Sequence, residues 1–359
     1  MPLLLRPNKH PARRRSGSPA RRRWGRVAGG LSLVAPLVLS TGCPKKTTGP
    51  MPICLTEVAG EEADEVKSQD MPPDVWFAVI LRDFNRREMK VKRPTKDCSG
   101  RTLAPEDEEM NLCMDGDNPP VPLEARPLDA EEDFTITALD EPGQALVWVR
   151  TDHYEGGLSE GPVAIAEWTK RGVAVRAIGP LTAHTDRVRM HLEPMGKERV
   201  LVVESRICED PEKPKTCGKQ TRLVPLVGER FVQRPLLDKD GETCLGAAAF
   251  DQSQETEVPL PDGRTRKFTL SRSFDYTDGN VVLSEEVKIE DYDPEKPDLP
   301  ATLFRKAQLQ REMLVTDRGL LTSEGLWDRL LHEHGSVELA KPKPASEAED
   351  GAAEPAAEG

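Results

Sequence analysis

The sequence predicts an all-β domain, mainly antiparallel, built as a sandwich or as a curved meander or barrel with one C-terminal helix. Three observations carry this. Short apolar or alternating runs recur between residues 74 and 335, turn signals separate them, and one stretch near the end has helical spacing with a start and a stop. No repeat at the period of a propeller blade accompanies them.

Val75–Leu81 (VWFAVIL) is a continuous apolar run of strand length and reads as a buried strand. Phe134–Leu139, Ala145–Arg150, Val163–Trp168 and Val173–Ile178 follow, the last two joined as a hairpin by Thr169-Lys170-Arg171-Gly172. Arg187–Leu192 alternates at period two, and Arg199–Val203 returns after the turn at Met195-Gly196-Lys197. Arg222–Leu226 and Phe231–Leu236 flank Val227-Gly228-Glu229. Lys267–Tyr276 and Val281–Glu290 are longer and meet at Thr277-Asp278-Gly279-Asn280, a strong turn signal. Leu303–Val315 carries both patterns: Leu303, Ala307 and Leu314 fit a helix, while the alternation of its second half fits a strand. The helix is Gly325–His334, with Thr322 or Ser323 as its cap, Leu326, Trp327, Leu330 and Leu331 on one face, and Gly335 as its stop.

These elements make a single β-rich domain over residues 74–335, with the Pro- and acid-rich residues 94–130 as an excursion from it. Residues 43–73 read as a tether. Residues 336–359 are rich in Ala, Glu and Pro without apolar periodicity, which predicts a disordered acidic tail.

The charge is divided along the chain. Nine of the 50 Lys and Arg residues lie in residues 1–42, which hold no acid, leaving 41 basic against 62 acidic residues in the remainder. A chain that acidic repels phosphate backbones and anionic headgroups, which argues against nucleic-acid binding.

The first 26 residues are Arg-rich, and Val27–Leu39 is a short uncharged apolar run containing Pro36. Such a run falls short of the roughly 20 residues that span a bilayer, so residues 1–42 read as a secretory signal peptide. Leu39-Ser40-Thr41-Gly42-Cys43 resembles the lipobox of bacterial lipoprotein precursors, with the family's −3 Leu lying one position early, at Leu39. That resemblance implies diacylglycerol on the Cys43 thiol, cleavage before it and acylation of the new N-terminus. With Pro44 following, and not the Asp that retains some lipoproteins at the inner membrane, it implies the outer membrane. The likeness covers the leader and Cys43 alone. It gives an address and an anchor, with the membrane as a partner through lipid and no activity implied.

Besides Cys43, six cysteines remain: Cys54, Cys98, Cys113, Cys208, Cys217 and Cys244. An even number in an exported chain predicts up to three disulfides. Cys208 and Cys217 flank a polar Pro-containing loop between two strand-like runs, so a bridge there would staple a hairpin. No pair has zinc-finger spacing and none has a neighbouring His, which leaves no zinc site.

Candidate chemistry is sparse. His332 and His334 are two apart on the helix, about 200° around its axis, and cannot share a metal. His184 and His191 flank a strand start without a specified nucleophile, and Ser159 sits in the Gly-rich loop Gly157–Gly161 without a hydrolase elbow. Asp238-Lys239-Asp240-Gly241-Glu242 lacks the Gly and the acid that an EF-hand needs further on, so turn chemistry explains it. The sequence therefore predicts no catalytic residues, metal or cofactor. It predicts a membrane-anchored envelope lipoprotein serving binding or structure, with an envelope protein or glycan as partner. Two other functions remain open: a carrier of lipid or another hydrophobic ligand, and a hydrolase assembled from dispersed residues.

Overall fold

The computed structural model describes residues 51–57, 71–103, 113, 120–169, 171–208 and 217–335. The expected signal peptide, Cys43, most of the expected tether and the expected tail lie outside the described residues. Among the described residues, twenty strands and two α-helices follow in chain order. They are β1 (Cys54–Thr56), α1 (Pro73–Ile80), β2 (Phe84–Asn85), β3 (Lys90–Val91), β4 (Phe134–Ala138), β5 (Gln144–Val149) and β6 (Asp152–His153). Next come β7 (Leu158–Thr169), β8 (Gly172–His184), β9 (Asp186–Met195), β10 (Glu198–Cys208), β11 (Cys217–Val227) and β12 (Arg230–Phe231). The rest are β13 (Pro235–Leu237), β14 (Cys244–Ala247), β15 (Ala249–Asp251), β16 (Ser253–Pro259), β17 (Thr265–Asp275), β18 (Val281–Tyr292), β19 (Thr302–Val315), β20 (Leu320–Leu321) and α2 (Leu326–His334).

The first sheet runs β4-β5-β7-β8-β12-β11-β10-β9 and curls into a near-barrel, its two end strands β4 and β9 approaching one another. The turn from β8 to its far neighbours depends on Gly179: a Cβ there would lie 1.9 Å from the Phe231 carbonyl oxygen, so only glycine lets the two backbones come so close. Period-two alternation turns Leu146, Trp148, Val163, Ile165, Leu181, Leu201, Val203 and Phe231 into the interior, which they fill. β1 also joins this sheet, with Cys54 opposite Val175. Part of the stretch read as tether is therefore a strand.

The opposite face of β5, β7 and β8 is covered by α1, and here the sequence reading needs correction. Val75–Leu81 is not a strand. Pro73 occupies the first helical turn and Asp74 accompanies it, both favourable at a helix start, and the apolar run is continuous because Trp76, Phe77, Val79 and Ile80 are all buried. With Ala78 alone exposed and itself apolar, the run carries no polar period by which to tell helix from strand. Trp76 meets Trp168 edge-on at 6.0 Å, and Phe77 meets Phe134 at 6.0 Å.

The second sheet, β14-β13-β20-β19-β18-β17-β16, forms a half-barrel. Phe231–Leu236, predicted as one strand, is two: β12 ends in the first sheet and β13 begins in the second, with Val232–Arg234 crossing between them. Leu303–Val315 resolves as strand β19, paired along its length with β18. Val200, Val202 and Leu223 of the first sheet share an apolar cluster with Val281, Leu283, Met313 and Leu320 of the second. A separate cluster packs Phe268, Leu270, Val287 and Ile289 against Leu326, Trp327, Leu330 and Leu331 of α2.

Between these two clusters lies a buried charge. On β18 the inward row reads Val281, Leu283, Glu285, Val287, Ile289, and Glu285 is fully buried. Its Oε1 accepts from Arg272 Nε at 2.7 Å and from Arg311 at 2.9 Å, and its Oε2 accepts the Leu326 N–H at 2.8 Å. The α2 start predicted to be capped by Thr322 or Ser323 is thus capped from the sheet. Ser323 contributes its carbonyl to Arg311 instead, at 2.6 Å. Burial pushes the Glu285 carboxyl up, but Arg311, the Leu326 N–H and Arg272 outweigh it and hold it below its ordinary value.

Three disulfides join Cys54 to Cys98, Cys113 to Cys244 and Cys208 to Cys217. The last closes the β10–β11 hairpin, as its flanking strands predicted, with the two cysteines directly opposite. The bridges place the domain in an oxidising, extracytoplasmic location. No described helix is long and apolar enough to cross a membrane.

Two outcomes follow from Glu285. Glu285→Ala leaves two buried guanidiniums without their carboxylate and should cost about 3–5 kcal/mol, read by urea unfolding, whereas Glu285→Met with Arg311→Leu removes one of the two and should recover part of it. An unchanged midpoint in the single variant would contradict the network. Because folding depresses this carboxyl, its contribution is complete above its unfolded value of 4.5 and is lost as pH falls through the folded value. Thermal unfolding scans should show stability declining below about pH 4.5, and less steeply in Glu285→Met/Arg311→Leu.

Candidate functional site

The outward faces of β17, β18 and β19 are set by the same alternation that buries Glu285. Register places Ser273 opposite Ser284 and Ser284 opposite Gln310. The next row places Ser271 opposite Glu286 and Glu286 opposite Gln308. Two three-strand rows of hydroxyl, amide and carboxylate groups therefore line a groove of about 530 Å³. Leu309 is the one hydrophobic residue in its lining, because alternation turns the apolar positions of these strands to the other face.

Its polar groups are only partly satisfied. Gln308 Nε2 donates to Glu286, Lys306 Nζ lies 2.8 Å from the same carboxylate, and Gln310 Nε2 donates to Ser284 Oγ at 3.4 Å. Contacts from Lys306 and Gln308 hold the Glu286 carboxyl below its ordinary value. The Ser271 and Ser273 hydroxyls have no protein partner among the described residues. With Glu286 neutralised by Lys306, the groove offers hydrogen bonds with little net charge, the chemistry that suits a neutral hydroxyl-bearing ligand. Sequence reading did not find it. The signal present was Ser and Gln on alternate positions of β17 and β19, but the rows appear only when the register is known.

The residues singled out in the sequence are dispersed. His184 Nδ1 lies 3.2 Å from the Gly156 carbonyl, and burial pushes its pKa down. His191 lies 3.6 Å from Glu193 and packs edge-on against Tyr276. Neither reaches a serine. Ser159 instead meets His153, which the sequence reading passed over: His153 Nδ1 is 3.0 Å from Ser159 Oγ, and its Nε2 is 3.2 Å from Asp133 Oδ1. This has the order of a nucleophile, a base and an orienting acid. Access is what it lacks. Ser159 is 2% exposed and Asp133 is fully buried, and neither residue lines the groove above or the smaller cleft of about 250 Å³ beside Arg93, Asp152 and Tyr154. Asp133 also accepts from both Arg126 nitrogens, at 2.8 and 2.9 Å, and from the Asp129 N–H at 2.7 Å. Burial raises its carboxyl, and these contacts with His153 bring it below its ordinary value. The cluster fastens β6 to the loop before β4. Arg150 stands beside it over the Trp148 ring, with burial bringing its guanidinium down to about 10.

Asp238 caps its own turn, its Oδ1 accepting the Glu242 and Thr243 N–H groups. Trp76, Trp148 and Trp327 are buried in the core, so they form no exposed aromatic platform. Comparison of the chain with protein-family models, with curated proteins and with solved structures matches none of them.

Proposed function

We propose that this chain is an envelope lipoprotein, held to a membrane by lipid on Cys43, whose β-domain binds a neutral, hydroxyl-rich envelope ligand of the glycan class. The groove over Ser271, Ser273, Ser284, Glu286, Gln308 and Gln310 carries the binding half of this reading, because it presents the unpartnered Ser271 and Ser273 hydroxyls beside amides and a carboxylate paired with Lys306. The anchoring half rests on the lipobox-like Leu39–Cys43 and is supported by the disulfides, which fit an exported domain. A carrier of hydrophobic ligands needs a hollow, and Leu146, Trp148, Leu181, Leu201 and Phe231 fill the near-barrel. A hydrolase needs a reachable nucleophile, and Ser159 is buried.

Intact mass of the membrane-extracted protein tests the anchor. A mass beginning at Cys43 with acyl chains, gaining about six hydrogens on reduction, is expected, and an unlipidated start elsewhere would remove the anchor. Titration with N-acetylhexosamine oligosaccharides, followed by calorimetry, tests the groove. Ser273→Arg with Gln310→Ala should weaken binding by about tenfold or more without shifting the unfolding midpoint, since both side chains face solvent. Equal affinity in the variant, or no binding by the wild type, would overturn the groove's assignment.

A further inference from the structure

The excess of acid over base conceals a segment of the opposite sign. Between Arg82 and Arg101 the chain carries eight Lys or Arg residues against Asp83, Glu88 and Asp97. The segment folds compactly. β2 pairs with β3, the Arg82 N–H donates to the Lys96 carbonyl at 3.2 Å, and the Lys92 N–H donates to the Asp83 carbonyl at 3.3 Å. Only part of the charge is spent internally: Arg86 pairs with Asp74 and Arg93 with Asp152, while Asp97 is fully buried and turned onto Arg230. Arg82, Arg87, Lys90, Lys92, Lys96 and Arg101 have no ion-pair partner among the described residues, and all but the half-buried Lys96 are exposed.

Connectivity ties this segment to the N-terminus. Cys98 is bridged to Cys54 in β1, and Cys54 lies eleven positions after Cys43. Fully extended, that length reaches at most about 40 Å. Exposed apolar side chains accompany the charge at β1, with Met51 84% and Leu55 43% exposed. Cations beside exposed apolar groups are the composition of a surface that seats on headgroups. Salt screens charges farther than about 8–10 Å, so the local surplus of eight cations over three acids in residues 82–101 is what the proposal rests on.

We propose that residues 82–101, together with Met51 and Leu55, form a docking surface for an anionic membrane, one that seats the domain on phosphate headgroups. The physiological setting rests on the anchoring reading above, but the surface itself does not need the lipid, which makes the two separable.

Residues 44–359 hold every apolar cluster and all three disulfides, and without Cys43 and the Arg-rich leader they give a clean test. Co-sedimentation with vesicles of phosphatidylglycerol and phosphatidylcholine at about 1:2 is expected, with binding lost on raising salt from about 0.1 to 0.5 M. Arg87→Glu/Lys90→Glu/Lys92→Glu should weaken it by about 100-fold or more. The unfolding midpoint should hold, because these side chains are solvent-exposed. Equal binding to pure phosphatidylcholine, insensitivity to charge reversal, or binding to a soluble polyanion with none to vesicles would each overturn the proposal. None of these outcomes bears on the mass at Cys43, so the anchor stands or falls on its own measurement.

Discussion

The Glu285 carboxylate lies between the Arg272 and Arg311 guanidiniums out of reach of water, and three parts of the second sheet meet on it. Arg272 belongs to β17, Arg311 to β19, and the Leu326 N–H begins α2. Taking an ion from water costs several kcal/mol, so such a group is tolerated only when its partners are held in place. The same requirement reaches the other face. Arg272 stands between Ser271 and Ser273, Glu285 between Ser284 and Glu286, and Leu309 between Gln308 and Gln310. Alternation couples the two sides, so strands fixed from below by the ion network carry the groove's rows above. A slip of one residue in β17 or β18 would bury its serines and expose its charge, and in β19 it would bury Gln308 and Gln310.

The first sheet meets its constraints differently. Its interior is filled by aliphatic and aromatic side chains, and buried carboxylates are fastened at Asp133, with Arg126 and His153, and at Asp97, with Arg230. α1 covers its outer face at one side, and the second sheet covers the β10–β11 side through Val200, Val202 and Leu223. Both faces of its central strands are therefore packed, which is why β5 and β8 read as nearly unbroken apolar runs while β18 alternates cleanly.

That difference explains how far the sequence could be read. Where one face is wet, as in β17, β18 and β19, the period of two is visible and so is the turn at Thr277–Gly279. Where both faces are dry, the period vanishes, and Val75–Leu81 took the wrong element because nothing in its composition separates helix from strand. The Pro72-Pro73-Asp74 start was the signal available. Glu285 was also legible in principle, as one acid in an otherwise aliphatic row, but its partners lie 13 and 26 residues away and only register brings them together. Polar β16 offered no apolar pattern at all. The groove belongs to the same class as the Glu285 pairing, being a property of three strands at once.

The disulfides have a topology as well as positions. Cys54–Cys98 joins neighbours in the order of cysteines, but Cys113–Cys244 encloses Cys208–Cys217 completely. A chain delivered N-terminus first to an oxidant that couples thiols as they emerge would close the first bridge correctly and then join Cys113 to Cys208. The native nesting is reached only if the β10–β11 hairpin closes before Cys113 is consumed, or if a shuffling catalyst undoes the mistake. Maturation of this domain is thus a contest between hairpin zippering and thiol capture, decided before any ligand is met.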